Sequence, residues 1–201
     1  MPIFFIAFPF GIVIALQALA IVRQYGVTAQ VSGVLSHLMV RELSPITTGM
    51  MIAAQSGGSI AAEIASFKVK KQINSLESMG IDPYNYIIFP RFLAIIIVTP
   101  IMEIFSVTFS IIGGYLTAVY LGGISSGAFI HNLNEFTTTN DIFFGLIKSL
   151  LFGIIIATVG SFHGINSKYS SKDVGLAANN TVVEATIFFI FINYIISSFA
   201  Y

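Results

Sequence analysis

Long runs of apolar residues are the feature that most constrains this chain. A helix that crosses a lipid bilayer needs about 20 consecutive, mostly apolar residues. The stretch Ile3–Val22 has that length, and only Pro9 and Gln17 interrupt it. Charged residues make up 9% of the 201 residues, whereas about a quarter of a soluble domain is charged. The sequence therefore predicts an all-α, polytopic membrane protein.

Four more stretches have a similar length and are largely apolar, so we expect about five transmembrane helices in a single domain over 1–201. The predicted spans lie near residues 3–22, 43–66, 92–121, 142–165 and 181–201. The second span is the least apolar of them and is rich in glycine, alanine and serine.

The positive charges predict how these spans are oriented. The connections 66–91 and 166–178 together carry Lys68, Lys70, Lys71, Arg91, Lys168 and Lys172, whereas the opposite side has Arg23, Arg41 and Lys148. Lysine and arginine accumulate in cytoplasmic loops. These two connections are therefore expected on the cytoplasmic side or its equivalent, with the N-terminus inside and the C-terminus outside.

Composition and motifs exclude several classes of function. Nine Lys and Arg residues balance nine Asp and Glu residues, and cysteine is absent, so neither a basic surface for nucleic acid nor a thiolate metal site is expected. His37, His131 and His163 are far apart in sequence, and no phosphate-binding loop motif occurs. We expect no catalytic residue, metal or cofactor in this chain, and no nucleic-acid partner.

Small residues recur every four positions along the second span, in the row Gly49, Ala53, Gly57, Ala61 and Ala65. This spacing lets helix backbones approach closely in lipid. The row is explained either by packing within the chain or by a dimer seam or substrate cavity. Polar residues on the same span favour the second explanation, because they are costly against lipid: Arg41, Glu42, Gln55 and Glu63.

An amphipathic segment follows the second span. The spacing predicts one helix over 67–82, with Val69, Ile73, Leu76 and Met79 on its apolar face and Gly80 and Pro83 as its stop. Such a helix either lies on the membrane surface or inserts into a groove of a cytoplasmic partner.

Two other functions remain open from the residues alone. An ion-coupled secondary transporter or channel would use Glu103 or Glu63, because an acid within a span needs a partner or a water-filled cavity. An intramembrane hydrolase would use Ser59, but the glycine-rich stretch around it lacks the strand–turn–helix context of a nucleophile elbow.

The order of several motifs resembles the MlaE-type permeases of lipid-transporting ABC systems. The matching stretches are Gly11–Gln17, Arg41–Pro45, Ser59–Glu63, Lys70–Pro83, Pro90–Phe92 and Ile147–Ser149. The resemblance covers nearly the whole chain, and the run from Arg41 to Phe92 is the most specific part of it.

This resemblance implies a function and a set of partners. Members are homodimeric permeases that move phospholipid or related lipids between membranes, with a separate ABC ATPase and an MCE-domain substrate-binding protein. It implies an ATPase-coupling helix with Lys70, Lys71, Ile73, Leu76, Glu77, Met79 and Asp82 as contacts. It also implies a lipid cavity at the dimer centre, with Arg41 and Glu42 close to it and Gly11–Gln17 lining it. We expect Arg41 and Glu42 to meet the headgroup, and Ile12, Leu16 and Leu19 to contact the acyl chains.

The chain differs from the family pattern in three places. From the sequence we expect the family's interfacial helix before the first span to be missing, either because the chain is a short or mis-started version or because another element replaces that helix. Ser44 stands in place of a common glycine, and Ala54-Gln55 stands in place of Gly-Arg. The expected location is a bacterial inner membrane or a plastid inner envelope. The abundance of phenylalanine and the absence of tryptophan and cysteine favour the plastid.

Overall fold

A computed structural model describes residues 2–25 and 31–200, and within these ranges the chain is helical with no strand. The helices are α1 Pro2–Tyr25, α2 Val31–Leu38, α3 Ser44–Ile52, α4 Gly58–Val69, α5 Gln72–Ser78, α6 Phe89–Leu116, α7 Ser126–Phe136, α8 Thr139–Asn166 and α9 Ser171–Ala200. Single π-helical turns lie at Met39–Leu43, Ala53–Gly57, Tyr84–Ile88 and Thr117–Leu121. The predicted all-α class is confirmed.

Four segments of the described chain are long and apolar enough to cross a membrane: Ile3–Ile21, Tyr84–Leu121, Thr139–Asn166 and Ser171–Phe199. They correspond to four of the predicted spans, although α9 begins well before residue 181. The predicted span 43–66 is helical, through α3, a π-helical turn and α4, but its Gly, Ser and Gln residues lower its mean hydropathy. The fifth span therefore stays a prediction.

The predicted helix over 67–82 is wrong in its bounds. Residues 67–69 form the end of α4, Lys70 and Lys71 form a turn, and α5 is confined to Gln72–Ser78. Lys71 adopts a left-handed conformation with φ 57°, which separates the two helices. Like charges three positions apart oppose a continuous helix, and Lys68 and Lys71 have that spacing.

Two helices lie in connections for which the sequence predicted no structure. α2 and α7 pack against each other, with Ser36 hydrogen bonded to Thr137 and Gly33 against the ring of Phe136. The Ser125 side chain caps α7 by accepting a hydrogen bond from the Ala128 backbone N–H, at 3.3 Å.

The described residues form two compact units. Unit 1 comprises residues up to 48 together with 101–147, and unit 2 comprises 49–100 together with residues from 148 onward. The core of unit 1 contains Ala15, Ala18, Leu19, Val31, Leu35, Met39, Ala118, Ile124 and Phe129. In the same unit, the backbones of α1 and α6 approach closely at Gly11. A Cβ at this position would collide with the carbonyl of Ser110, so the close approach requires a glycine.

Unit 2 is organised around the packing of α4 on α9, where Ala61, Ala65 and Ala177 are buried together. The rings of Phe152 and Phe189 pack 5.0 Å apart in this unit. Small side chains let the two helices come close, which is how helices associate where lipid supplies no hydrophobic driving force.

Three hydroxyl groups along α6 and the π-helical turn that follows it are satisfied by the helix backbone. Thr99, Ser110 and Thr117 each donate to the carbonyl four residues earlier, at 2.6, 2.7 and 2.9 Å. Such bonds remove the cost of a free hydroxyl in an apolar environment. This explains how α6 carries several polar residues and still qualifies as a membrane span.

Candidate functional site

The segment between α4 and α6, residues 70–88, is called the coupling segment below. Its first helix, α5, ends in a regular glycine stop: Gly80 has φ 72°, its N–H donates to Glu77 O, and the Ile81 N–H donates to Leu76 O. Asp82 then begins the next helical stretch by accepting from the Tyr84 N–H at 3.0 Å and from Asn85 Nδ2 at 2.7 Å. The structure therefore gives Asp82 a capping role.

The coupling segment exposes large apolar side chains. Met79 is 64% exposed, Tyr84 58% and Tyr86 65%, and Ile81 is also exposed. A groove of about 340 Å³ lies beside them and is lined by Phe67, Gln72, Ser75, Leu76, Met79, Tyr86, Ile87 and Arg91. Clustered exposed apolar residues at a polar rim mark interaction sites, so this surface is the candidate docking site.

Arg91 ties the base of α6 to α4. Its guanidinium donates to both carboxyl oxygens of Glu63, at 2.6 and 3.1 Å, and to the Ile87 carbonyl at 2.7 Å. The same group lies over the ring of Phe67, 5.5 Å from its centroid. A forked guanidinium with two oxygen partners fixes orientation as well as distance. Arg91 therefore connects the docking groove, which it lines, to α4.

Lys68, at the end of α4, contacts the start of the second predicted cytoplasmic connection, 166–178. Its Nζ donates to the Ile165 carbonyl at 2.6 Å and lies 5.3 Å from the ring centroid of Tyr169. A cavity of about 310 Å³ there is lined by residues from both connections, including Asn74 and Glu77. The juxtaposition fits the predicted orientation, in which both connections lie on one side of the membrane.

The residues predicted to contact the ATPase differ in accessibility. Five of them are exposed: Lys70, Lys71, Glu77, Met79 and Asp82. The other two, Ile73 and Leu76, are half-buried and each lines a cavity. The exposed charges and Met79 are therefore available to a partner. Ile73 and Leu76 instead hold α5 against the rest of unit 2.

Arg41 lies in the π-helical turn Met39–Leu43 and is 9% exposed. One guanidinium nitrogen lies 3.4 Å from an Asp141 carboxyl oxygen, and the group sits over the Phe144 ring at 5.6 Å. The Asp141 carboxylate also accepts two hydrogen bonds from Thr138, one from its hydroxyl at 2.7 Å and one from its backbone N–H at 3.1 Å. The charge of Arg41 is therefore already partnered within unit 1, while Glu42 is half-buried.

The three apolar residues assigned to acyl chains lie in different environments. Leu16 is 44% exposed and Ile12 is half-buried, whereas Leu19 belongs to the packed core of unit 1. Leu16 is thus accessible from outside the chain, and Ile12 is partly accessible. Leu19 is placed to hold α1 against α2.

The small-residue row is buried within this chain. Gly49, Ala53, Gly57, Ala61 and Ala65 are all inaccessible. Gly49 faces Phe152, and a Cβ on Gly57 would lie 2.7 Å from Ile156 Cγ2. Of the two explanations offered for the row, its burial fits packing within the chain. The exposed side of the same helix carries Ala54, Gln55, Ser59 and Glu63 instead.

The Arg91–Glu63 pair was not among the predicted coupling residues. Both residues lie in motifs that resemble the family pattern, but their contact joins positions 28 apart in sequence. A bend of the chain between α4 and α6 creates the contact, and periodicity along one helix carries no signal for it. Glu63, proposed above for ion coupling, is instead engaged by Arg91.

Several known proteins are similar to this chain over most of its length. A family model described as Permease MlaE matches residues 1–199. A probable ABC transporter permease protein of Rickettsia felis is 33% identical, over 93% of this chain and 72% of its own. The intermembrane phospholipid transport system permease protein MlaE of Haemophilus influenzae is 29% identical, over 94% and 72%. The chloroplastic protein TRIGALACTOSYLDIACYLGLYCEROL 1 of Arabidopsis thaliana is 28% identical, over 94% and 54%.

Proposed function

The chain belongs to the MlaE permease family, and from that premise we propose that it is the membrane-spanning subunit of an ABC transporter that moves phospholipid or related lipids between membranes. It acts as a transport subunit, and a separate ATPase chain hydrolyses ATP. The name of the Haemophilus relative, which specifies intermembrane phospholipid transport, supports the substrate class. Four long apolar helices supply the membrane-spanning part.

The observation that carries this proposal is the docking groove of the coupling segment. An ATPase partner binds the exposed Met79, Tyr84 and Tyr86 and covers the apolar groove beside α5. The exposed Lys70, Lys71 and Glu77 at its rim set orientation and association rate more than affinity.

Movement of the ATPase then reaches the membrane part of unit 2 through Arg91. This residue lines the groove and also holds Glu63 on α4, so displacement of the groove pulls on α4 and on the first turn of α6. ATP-driven transport requires that the lipid interact differently with the two resulting states. The exposed face of α4, which carries Ser59 and Glu63, is the part of unit 2 whose environment differs between these two states.

Lipid contact is assigned to the unit 1 residues that the fold leaves available. Leu16 and Ile12 contact acyl chains, and Glu42 lies near the headgroup. Arg41 contributes to headgroup binding by exchanging or sharing its partner Asp141. Its burial limits that contribution to a state in which the π-helical turn Met39–Leu43 rearranges, and π-helical turns are frequent at functional sites.

Three further elements complete the proposal. The permease acts as a homodimer, with the exposed Ala54, Gln55 and Ser59 side of the second span as the contact. An MCE-domain protein binds on the side opposite the ATPase. The membrane is a bacterial inner membrane or a plastid inner envelope, in keeping with bacterial and chloroplastic relatives.

The docking groove is tested by placing a charge on its exposed apolar residues. Met79→Asp and Tyr86→Asp each leave the fold intact, because both side chains are exposed, and we expect recovery of the ATPase with the tagged permease to fall about tenfold or more. Tyr120→Asp is the matched control, since Tyr120 is 78% exposed in unit 1 and outside the coupling segment. Equal recovery from all three variants would refute the assignment.

A further inference from the structure

Glu103 lies in the middle of α6 with its side chain shut away from solvent. The residue is 2% exposed, and no hydrogen bond of good geometry reaches either carboxyl oxygen. The hydroxyls of Thr48 and Ser44 lie nearby. That of Ser44 donates to Ser106 at 2.9 Å, and that of Thr48 makes no hydrogen bond of good geometry to the carboxyl group. A buried carboxyl group without a hydrogen-bond partner is costly, so a group that supplies a donor there is bound favourably.

A cavity of about 200 Å³ adjoins this carboxyl group within unit 1. Its other walls are almost entirely apolar and include Ile104, Val107, Ile142 and Leu146. Thr108 also lines it, but its hydroxyl already donates to the Ile104 carbonyl at 2.7 Å. Among the lining residues of this cavity, Glu103 is therefore the group that offers unused acceptors.

The cavity reaches the apolar surface of unit 1. Ile104 and Ile142 line it and are also 54% and 48% exposed. Both belong to segments that are long and apolar enough to cross a membrane. A ligand that enters between these side chains comes from the hydrocarbon region and is itself largely apolar.

We infer that this cavity binds a membrane amphiphile whose head donates a hydrogen bond, through a hydroxyl or an ammonium group, to the carboxyl oxygens of Glu103. The chain of the amphiphile lies against Ile104, Val107 and Ile142. The site is separate from the docking groove, and the residues proposed to bind the amphiphile are not among those assigned to transport, although Val40 of the π-helical turn Met39–Leu43 also lines the cavity. Failure of this inference would leave the docking groove and its ATPase untouched.

The test uses the full chain with its co-purifying partners in phosphatidylcholine nanodiscs. A monoacylglycerol with a diazirine on its acyl chain is photolysed, and labelled peptides are mapped by mass spectrometry. We expect labelling on the peptides that contain Val107 and Ile142. Dodecanol and dodecylamine, tried separately, show whether a hydroxyl or an ammonium group competes better, and dodecyl methyl ether, which has no donor, should not compete.

Three variants separate the carboxyl group from the apolar walls. Glu103→Leu keeps the volume and removes the acceptors, and we expect labelling to fall about tenfold or more, the value of a hydrogen bond to a charged or strongly polar group. Val107→Phe fills the cavity and should also abolish labelling. Thr108→Val is the matched control and should keep it, because that hydroxyl already has a partner.

Two results would overturn the inference. One is the absence of labelling at these peptides in the unaltered chain, which would leave the cavity to water or a proton. The other is equal labelling in Glu103→Leu and the unaltered chain, which would make the cavity an apolar groove that does not select for a donor.

Discussion

The guanidinium of Arg91 holds both carboxyl oxygens of Glu63, at 2.6 and 3.1 Å, and so links the start of α6 to the exposed side of α4. The pair lies beside the docking groove, which Arg91 also lines. Its side chains are 27% and 46% exposed, so the pair contributes little to stability, and the role proposed for it is to transmit motion.

Breaking this pair should uncouple ATP hydrolysis from lipid movement. For Glu63→Gln we expect a change in unfolding free energy of about 1 kcal/mol or less, because partly exposed ion pairs contribute little. Lipid transfer per ATP hydrolysed should nevertheless fall several-fold. Transfer of fluorescent lipid and phosphate release, measured on the same reconstituted complex, check this ratio.

The exchanged pair Glu63→Arg with Arg91→Glu supplies the control for that prediction. If the ion pair transmits motion, the double variant should recover part of the transfer that each single variant loses. Transfer that is unaffected by either single change would show that the pair plays no part in coupling.

Replacing Gly57 should loosen the packing of unit 2. A Cβ at this position would lie 2.7 Å from Ile156 Cγ2, and that methyl group belongs to a stiff, β-branched side chain. We expect Gly57→Ala to destabilise the protein by about 1–3 kcal/mol, the usual cost of overpacking. Thermal unfolding in detergent, followed by size-exclusion chromatography, measures the loss.

A glycine with free space around it provides the comparison. Gly127 in α7 has no atom within 4 Å of an added Cβ, so Gly127→Ala should leave stability unchanged or raise it slightly. Equal losses for the two variants would contradict the close packing of the small-residue row.

Removing Asp141 alone should lower the free energy of unfolding more than removing both Asp141 and Arg41. Asp141→Leu leaves a largely buried guanidinium without this carboxylate, and we expect a loss of about 3 kcal/mol or more. Adding Arg41→Met should recover part of that loss. Chemical denaturation of the single and double variants tests this order, and a double variant less stable than Asp141→Leu would contradict it.

The same two variants separate structural from lipid-binding roles. If Arg41 binds headgroups, the double variant should recover stability yet carry less co-purified lipid per chain than the unaltered protein. If the amount of co-purified lipid instead recovers together with stability in the double variant, Arg41 does not bind the headgroup.

The turn at Lys71 offers a local test of the corrected helix bounds. Because its φ of 57° is unfavourable for a residue with a side chain, Lys71→Gly should raise stability by up to about 1 kcal/mol, and Lys71→Val should lower it. Lys70→Gly, next in sequence with negative φ, is the control and should not stabilise. Stabilisation by Lys71→Val would favour the continuous helix over 67–82.

How much of this fold is predictable from sequence depends on the range of each interaction. The apolar runs located α1, α6, α8 and the later part of α9, since those signals are local. Gly80 indicated a stop close to the end of α5 at Ser78, although the predicted end at residue 82 lies four residues later. The left-handed turn at Lys71 and the π-helical turns were not predictable, because they reflect how the long helices pack. The helices α2 and α7 were missed because neither is apolar enough to stand out.

The candidate site shows the same difference between local sequence signals and long-range contacts. Of the exposed apolar residues on the coupling segment, Met79 belonged to the predicted apolar face, whereas Ile81, Tyr84 and Tyr86 were not predicted. The Arg91–Glu63 and Arg41–Asp141 pairs were not predictable either, because they join positions 28 and 100 residues apart. The row from Gly49 to Ala65 was recognisable as a packing surface, but only the positions of Phe152 and Ile156 show that its partners lie in the same chain.

The most direct test of the transport assignment is affinity purification of the tagged full chain in mild detergent, with mass spectrometry of the proteins and lipids that accompany it. We expect an ABC ATPase chain in near-stoichiometric amount, together with phospholipid or a related lipid. Recovery of the permease alone, from a membrane extract in which that ATPase is detected, would contradict the account.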